Sequence, residues 1–248
     1  AWLHFKDKIS SINLNLPDTA SGYPDFLKEL KWETDWLLKM SYSDGSGKVS
    51  HKVSAINFCG TIMPESETAS RYFVDWGSAA TADFVAMLAM ASRLFRPYDE
   101  TYADTCLNAA LNSYWFLYNN PSSKSPDQSA FSTGTYNTTD TDDRLWAAAE
   151  IWEATGNTTA HQDFITRANL YSNKINWSMD WGSVENLGMF TYYMSTQTGK
   201  NSAIIDDIRN DSISTANSYV SSMNSHGYAR VLGTSYWWGI NGTVARAA

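Results

Sequence analysis

Eight consecutive residues, Phe84-Val85-Ala86-Met87-Leu88-Ala89-Met90-Ala91, carry no polar side chain. They lie inside a helical pattern running from Ser78 to Phe95, so the spacing predicts a helix that is apolar on every face. Such a helix must be surrounded by protein or by lipid. A membrane crossing takes about 20 residues. The run is far shorter, and no stretch of 18 apolar residues occurs elsewhere. The expectation is therefore a core helix of a large fold and no membrane span. Arg93 and Arg96 suit its negative C-terminal end, and Pro97 stops it.

The neighbouring segments are one-sided. Between Glu100 and Tyr118, Leu107, Ala110, Leu111, Tyr114 and Leu117 fall on one face. Asp142 to Ala154 again reads as helical and buried, through Leu145, Trp146, Ala149 and Trp152, and Gly156 ends it. Ala160 to Trp177 is expected to be amphipathic, as is Ile204 to Met223. Asp180 to Met194 starts as a loop and becomes a helix, and a further helix opens near Tyr236. Ser54 to Trp76 shows no helical period and reads as a long ordered loop. Buried and amphipathic helices alternate with no βαβ pattern, which predicts an all-α fold of helical hairpins in two layers.

The stretch from Tyr23 to Val53 adds the most specific detail. Pro24 stands where a helix can begin without losing a hydrogen bond. Phe26, Leu30, Leu37 and Met40 recur at helical spacing, and Trp32 and Trp36 are expected to widen that apolar face. Asp44-Gly45-Ser46-Gly47 then forms a turn, and Lys48 to Val53 follows as an extended arm carrying His51. Elsewhere the residues bound function only loosely. The formal net charge of −8 disfavours a nucleic-acid partner. Cys59 and Cys106 are read as buried and free. Four histidines and two cysteines show no zinc-type spacing. Glu65, Asp75 and Asp83 read as ion-pair or capping groups.

Several words in order along the chain carry a resemblance. They are the Lys31-Trp32…Trp36…Met40 helix, His51-Lys52-Val53, Asn57-Phe58-Cys59-Gly60, Met63-Pro64-Glu65, Ser78 to Asp83, Phe95-Arg96-Pro97-Tyr98, Asp142-Asp143-Arg144-Leu145-Trp146 and Asn186-Leu187-Gly188-Met189-Phe190. Together the chain resembles the catalytic domain of glycoside hydrolase family 9, above all bacterial, clostridial-type endoglucanases. The resemblance implies an (α/α)6 barrel. Residues 1–248 would form one partial catalytic domain, truncated at both ends, with about eight of twelve helices.

The implied activity is inverting hydrolysis of cellulose-like β-1,4-glucans by a secreted enzyme that can carry additional modules. An exo-acting glucanase or β-glucosidase of the same fold, or a helical binding or scaffold protein, are the alternatives. Inversion needs two carboxyl groups roughly 6.5–9.5 Å apart. In the family the base lies upstream of the region matched here and the acid far downstream, so no catalytic residue is assigned to this chain. Substrate contacts are implied for His51, Tyr136, Trp177 and Trp238. An imidazole can hydrogen-bond a sugar hydroxyl, and a flat ring can cover the apolar face of a sugar. A backbone-bonded loop histidine and core packing of the aromatics are the competing readings. Asp142 and Asp143 match the acids that help hold a structural calcium in similar proteins. Hard oxygens suit Ca²⁺, although helix capping needs acids at the same place. The family often has a further Asp after a Trp in the next loop, whereas Trp181 is followed here by Gly182.

Overall fold

A computed structural model describes residues 1–17, 22–232 and 239–247. The chain divides into two compact units, Ala1–Asp140 and Thr141–Ala248. The first holds α1 (Trp2–Ile9), α2 (Asp25–Leu38), β1 (Val53–Ser54), β2 (Tyr72–Phe73), α3 (Ser78–Phe95) and α4 (Glu100–Asn119). The expected core helix is α3. Ala82, Val85, Ala86, Leu88, Ala89 and Phe95 are essentially inaccessible. By length and composition α3 could cross a membrane, yet 67% of it is buried inside the protein, as a core helix is.

Helix α3 pairs chiefly with α4 as a hairpin, and α2 rests on α3. The hairpin turn is fixed by Asp99, whose carboxylate accepts the Tyr102 N–H at 2.9 Å and the Tyr23 hydroxyl at 2.7 Å. Those contacts to an N-cap carboxylate hold it ionised and keep its pKa below the usual range. Helix α4 buries one side only, through Ala103, Cys106, Ala110, Tyr114 and Leu117.

Two readings of this unit need correction. Trp32 is 77% exposed and Trp36 44% exposed. Helix α2 buries Leu27 and Thr34 instead, two turns apart on another side, so the two tryptophans do not widen the core face. Cys59 is exposed, within the long loop where no helix covers it, while Cys106 is buried as expected; both are free. The Ser54 to Trp76 segment is mostly irregular, interrupted by one 3-10 turn at Pro64–Ser66 and by β2.

The second unit holds α5 (Thr141–Thr155), α6 (Thr158–Ala168), α7 (Glu185–Met194), α8 (Ser202–Ser225) and α9 (Ile240–Ala247). Every residue of α5 from Asp142 to Trp152 is buried. It packs on α6 and α7. Asn157 caps α6 by accepting the Ala160 N–H at 3.0 Å. Helix α6 ends at Ala168, nine residues before Trp177, where the expected helix ran on. Past Leu170 the chain turns on side-chain contacts: the Lys174 N–H donates to Asp211 and the Asn176 N–H to Asn186. The start expected near Tyr236 lies outside the described residues.

An aromatic stack joins α5, α6 and α7. The rings of Trp152 and His161 lie 4.3 Å apart and nearly parallel, and Phe164 stacks on Tyr192 at 4.2 Å. The Tyr192 oxygen accepts the Asn201 N–H at 2.6 Å and shares a 2.9 Å hydrogen bond with His161 Nε2. The imidazole is partly buried, which favours its neutral form. Burial holds its pKa below the ordinary histidine value. The unfolded chain therefore takes up the proton more readily. The associated stability is complete above about pH 6.5 and is lost as pH falls through the depressed folded value. An NMR titration of His161 is expected to give a midpoint below that of the unfolded chain; a midpoint at the ordinary value overturns the assignment.

Candidate functional site

In the first unit the arm carrying His51 is held by two isolated bridges, Ser41 with Val49 and Ser50 with Trp76. It continues into the antiparallel pairing of Val53 with Phe73 and Ser54 with Tyr72. The His51 N–H donates to the Asp75 carbonyl at 3.2 Å.

The arm also meets the polar loop of residues 128–137, which runs antiparallel to it. The His51 ring hydrogen-bonds the Tyr136 backbone. Lys52 Nζ donates to the Gly134 carbonyl at 2.5 Å. The Ser54 and Thr133 hydroxyls are 2.5 Å apart. The Ser132 N–H donates to the Ile56 carbonyl at 2.8 Å. Each step forward on the arm is matched by a step back on the loop, as in a strand ladder, yet most rungs are side chains.

Tyr136, 55% exposed, is presented at the end of this ladder. Gly134 has φ +89°, and a Cβ there would stand 3.0 Å from the Tyr136 ring. Only glycine supplies that backbone without displacing the ring. Just before the loop the chain is anchored by Lys124, whose ammonium meets Asp75 Oδ2 at 2.5 Å and the Trp76 carbonyl at 2.9 Å. Burial opposes ionisation of Asp75, but the Lys124 contact and backbone N–H donors outweigh it and keep its pKa low. Asp75 is thus an ion-pair group, as expected.

His51 is half-buried. Burial pushes its pKa down, the bond to the Tyr136 backbone pulls it up, and nearby Lys52 lowers it further. The net direction is downward, so the ring is neutral at pH 7. Its Nδ1 is covered by protein and has no hydrogen-bond partner among the described residues.

Trp177 belongs to the second unit. It is 56% exposed, and the Tyr219 hydroxyl donates to its carbonyl. It borders a cavity of about 120 Å³ together with Ile175, Phe190, Thr215 and Tyr219. Trp238 lies outside the described residues.

Asp142 and Asp143 are 6% and 4% exposed at the start of α5. Asp142 Oδ2 accepts the Val184 N–H at 2.7 Å. Glu185 is also buried, and its Oε2 has no hydrogen-bond partner among the described residues. Burial raises the Tyr171 pKa, and Asp142, Glu185 and Asp143 raise it further, so all three carboxylates act on one place. Among the described residues no three metal-ligating side chains close into a cluster. Buried carboxylates of this kind suit a hard cation only if carbonyls or waters complete the shell.

The arm residue His51 and the loop residue Tyr136 are thus brought together. Lys124 and the serine and threonine rungs were not foreseen. Apart from Ser54 in β1, they lie in a Ser/Thr/Gly-rich loop with no period, and nothing in its sequence distinguishes an anchoring lysine from a solvated one.

Comparison with known proteins gives a consistent result. The profile of Glycosyl hydrolase family 9 matches residues 1–248. Endoglucanase D of Acetivibrio thermocellus is 56% identical over 247 residues, which cover 99% of this chain and 40% of that protein. A metagenome-derived glycoside hydrolase family 9 endoglucanase superposes with a TM-score of 0.89 at 28% identity, covering 100% of this chain and 45% of that one. A Zn-binding triple mutant of the family 9 endoglucanase J30 does so with a TM-score of 0.82 at 28% identity, over 93% of this chain and 43% of that one. The chain therefore spans about 40% of the length of such relatives. The fold class is all-α, an incomplete (α/α)6 barrel.

Proposed function

We propose, given that this chain belongs to glycosyl hydrolase family 9, that the whole protein is an inverting endo-β-1,4-glucanase acting on cellulose-like glucans. The observation that carries the reading is the 56% identity to an endoglucanase along almost the entire chain. The two units are read as parts of one catalytic domain, in a secreted protein with further modules. The chain supplies substrate contacts rather than the reacting carboxyl pair. The test compares the whole protein with the isolated 248-residue chain. The whole protein is expected to lower the viscosity of a soluble β-1,4-glucan quickly and to release the inverted anomer. The isolated chain is expected to release no reducing sugar. Slow viscosity loss with steady release of small sugars would assign an exo-acting enzyme instead, and no hydrolysis by the whole protein would sink the reading.

His51, Tyr136, Trp177 and Trp238 are proposed as sugar contacts. For Tyr136 the support is an exposed ring on a braced loop. A flat ring can cover the apolar face of a glucose unit, which is worth about 1 kcal/mol by analogy with aromatic pairs. For His51 the support is a neutral ring with one unsatisfied nitrogen, which a substrate hydroxyl can satisfy. That nitrogen is covered, so the bond requires the adjoining loop to yield as sugar enters. Trp177 is supported by its exposure beside a cavity.

A structural calcium is proposed at Asp142 and Asp143. Its support is the concentration of buried carboxylate near Tyr171, with an unsatisfied Glu185 oxygen. When bound, the ion would place positive charge beside the carboxylates of Asp142, Asp143 and Glu185. Calcium at about 100-fold above its Kd is expected to stabilise the whole protein by about 2.7 kcal/mol relative to chelator. Asp143→Asn should abolish most of that difference. Identical melting with calcium and with chelator would exclude the site.

A further inference from the structure

We propose that Lys52 is a positioning residue, which fixes the 128–137 loop and through it the Tyr136 ring. The inference rests in part on the reading of Tyr136 as a sugar platform. Among the described residues no carboxylate pairs with Lys52. Its ammonium is committed to the Gly134 carbonyl at 2.5 Å and to two aromatic faces, with ring centres 5.9 Å away for Phe131 and 5.7 Å for Tyr136. These are the outer range of cation–ring attraction. The charge-assisted bond to the carbonyl is the stronger tie.

The geometry gives this one cation three partners on a single loop. Gly134 is also the residue against which the Tyr136 ring lies. Pulling on the Gly134 carbonyl therefore holds the surface on which the ring rests, while the charge attracts the ring itself. The neighbouring rungs at Ser54 and Ser132 are neutral hydrogen bonds, each worth roughly 1 kcal/mol, and they brace the far side of Gly134. Without Lys52 the loop keeps those rungs and the His51 contact, so it stays near its place but samples more conformations. A platform that must be reordered by each substrate binds more weakly, with the chemical step unaffected.

The test uses the whole enzyme carrying this segment. Lys52→Met keeps the apolar stem and removes the cation. Amide hydrogen exchange within 128–137 is expected to speed up about tenfold. KM for a soluble β-1,4-glucan is expected to rise about fivefold, with kcat within about twofold. Tyr136→Ala should raise KM similarly, and the double variant should be no worse than Tyr136→Ala alone, because both remove one platform. Lys52→Arg should recover most of the loss. Lys52→Gln, which can donate to the carbonyl without a charge, serves if Lys52→Met does not fold.

Unchanged loop exchange in Lys52→Met and Lys52→Gln overturns the proposal. Faster loop exchange with unchanged KM in both the Lys52 and Tyr136 variants supports the positioning role and removes the sugar-platform reading. A lower kcat at unchanged KM in Lys52→Met, with normal loop exchange, would place Lys52 in the chemistry and also overturns it.

Discussion

Gly188→Ala is expected to destabilise the second unit by about 3 kcal/mol, and Gly188→Val to prevent it from folding. Helix α7 crosses α5 at this glycine. A Cβ would stand 2.4 Å from Leu145 Cδ2, 2.9 Å from the Trp146 Cα and 3.1 Å from the Trp146 N. A leucine methyl can rotate away, although Leu145 is fully buried and has little room. The Trp146 backbone cannot yield unless one helix moves. Two effects oppose each other. Alanine in a helix interior is favoured over glycine by about 1 kcal/mol. Overpacking a tight contact costs typically 1–3 kcal/mol and sometimes more. A contact below 3 Å to backbone lies at the upper end, so packing wins. Urea unfolding would measure the loss. Adding Leu145→Ala should rescue little, because it removes the methyl and leaves the backbone clash. An unchanged or raised midpoint for Gly188→Ala would contradict this account of the crossing.

Glu150→Ala is the second large effect, also about 3 kcal/mol. Glu150 is 0% exposed. Its Oε1 accepts the Trp146 indole N–H at 3.2 Å and the Thr191 hydroxyl at 2.7 Å. It thereby ties α5 to α7 a turn away from the Gly188 crossing. Truncation leaves the donors without their acceptor and opens a cavity, each costing roughly 1–3 kcal/mol. Glu150→Gln keeps the shape and an acceptor oxygen and should cost no more than about 1 kcal/mol. The order of midpoints is therefore native, Gln, Ala. A Gln variant as unstable as the Ala variant would mean that the charge itself, rather than the two donated bonds, holds the pair of helices.

These two sites show what could be read beforehand. Leu145, Trp146, Ala149 and Trp152 announced a buried helix, and α5 is one. That Glu150 would be buried among them did not follow from pattern, since a lone acid on a helix ordinarily faces water. Gly188 was visible as part of a family word, Asn186 to Phe190. Its role as the point where two backbones touch needs the partner helix. Likewise the His51 arm and the Tyr136 loop were each picked out from the chain, but the ladder joining them was not. Its rungs link residues 76 to 85 positions apart through serine, threonine and lysine side chains, which carry no periodic signal.

The sequence by itself determined roughly where most helices lie, which of them are buried all round, and the family to which the chain belongs. Those properties are local: hydrophobic spacing, Pro97 and Gly156 as stops, and short words retained in order. The tertiary structure alone decided which of two apolar stripes α2 turns inward, leaving Trp32 and Trp36 in solvent, and where α6 ends. It also decided that His51 is held neutral against the loop that presents Tyr136. The physical reason is that burial and hydrogen bonding between distant segments depend on what packs opposite, and a helix with two possible faces does not contain that information.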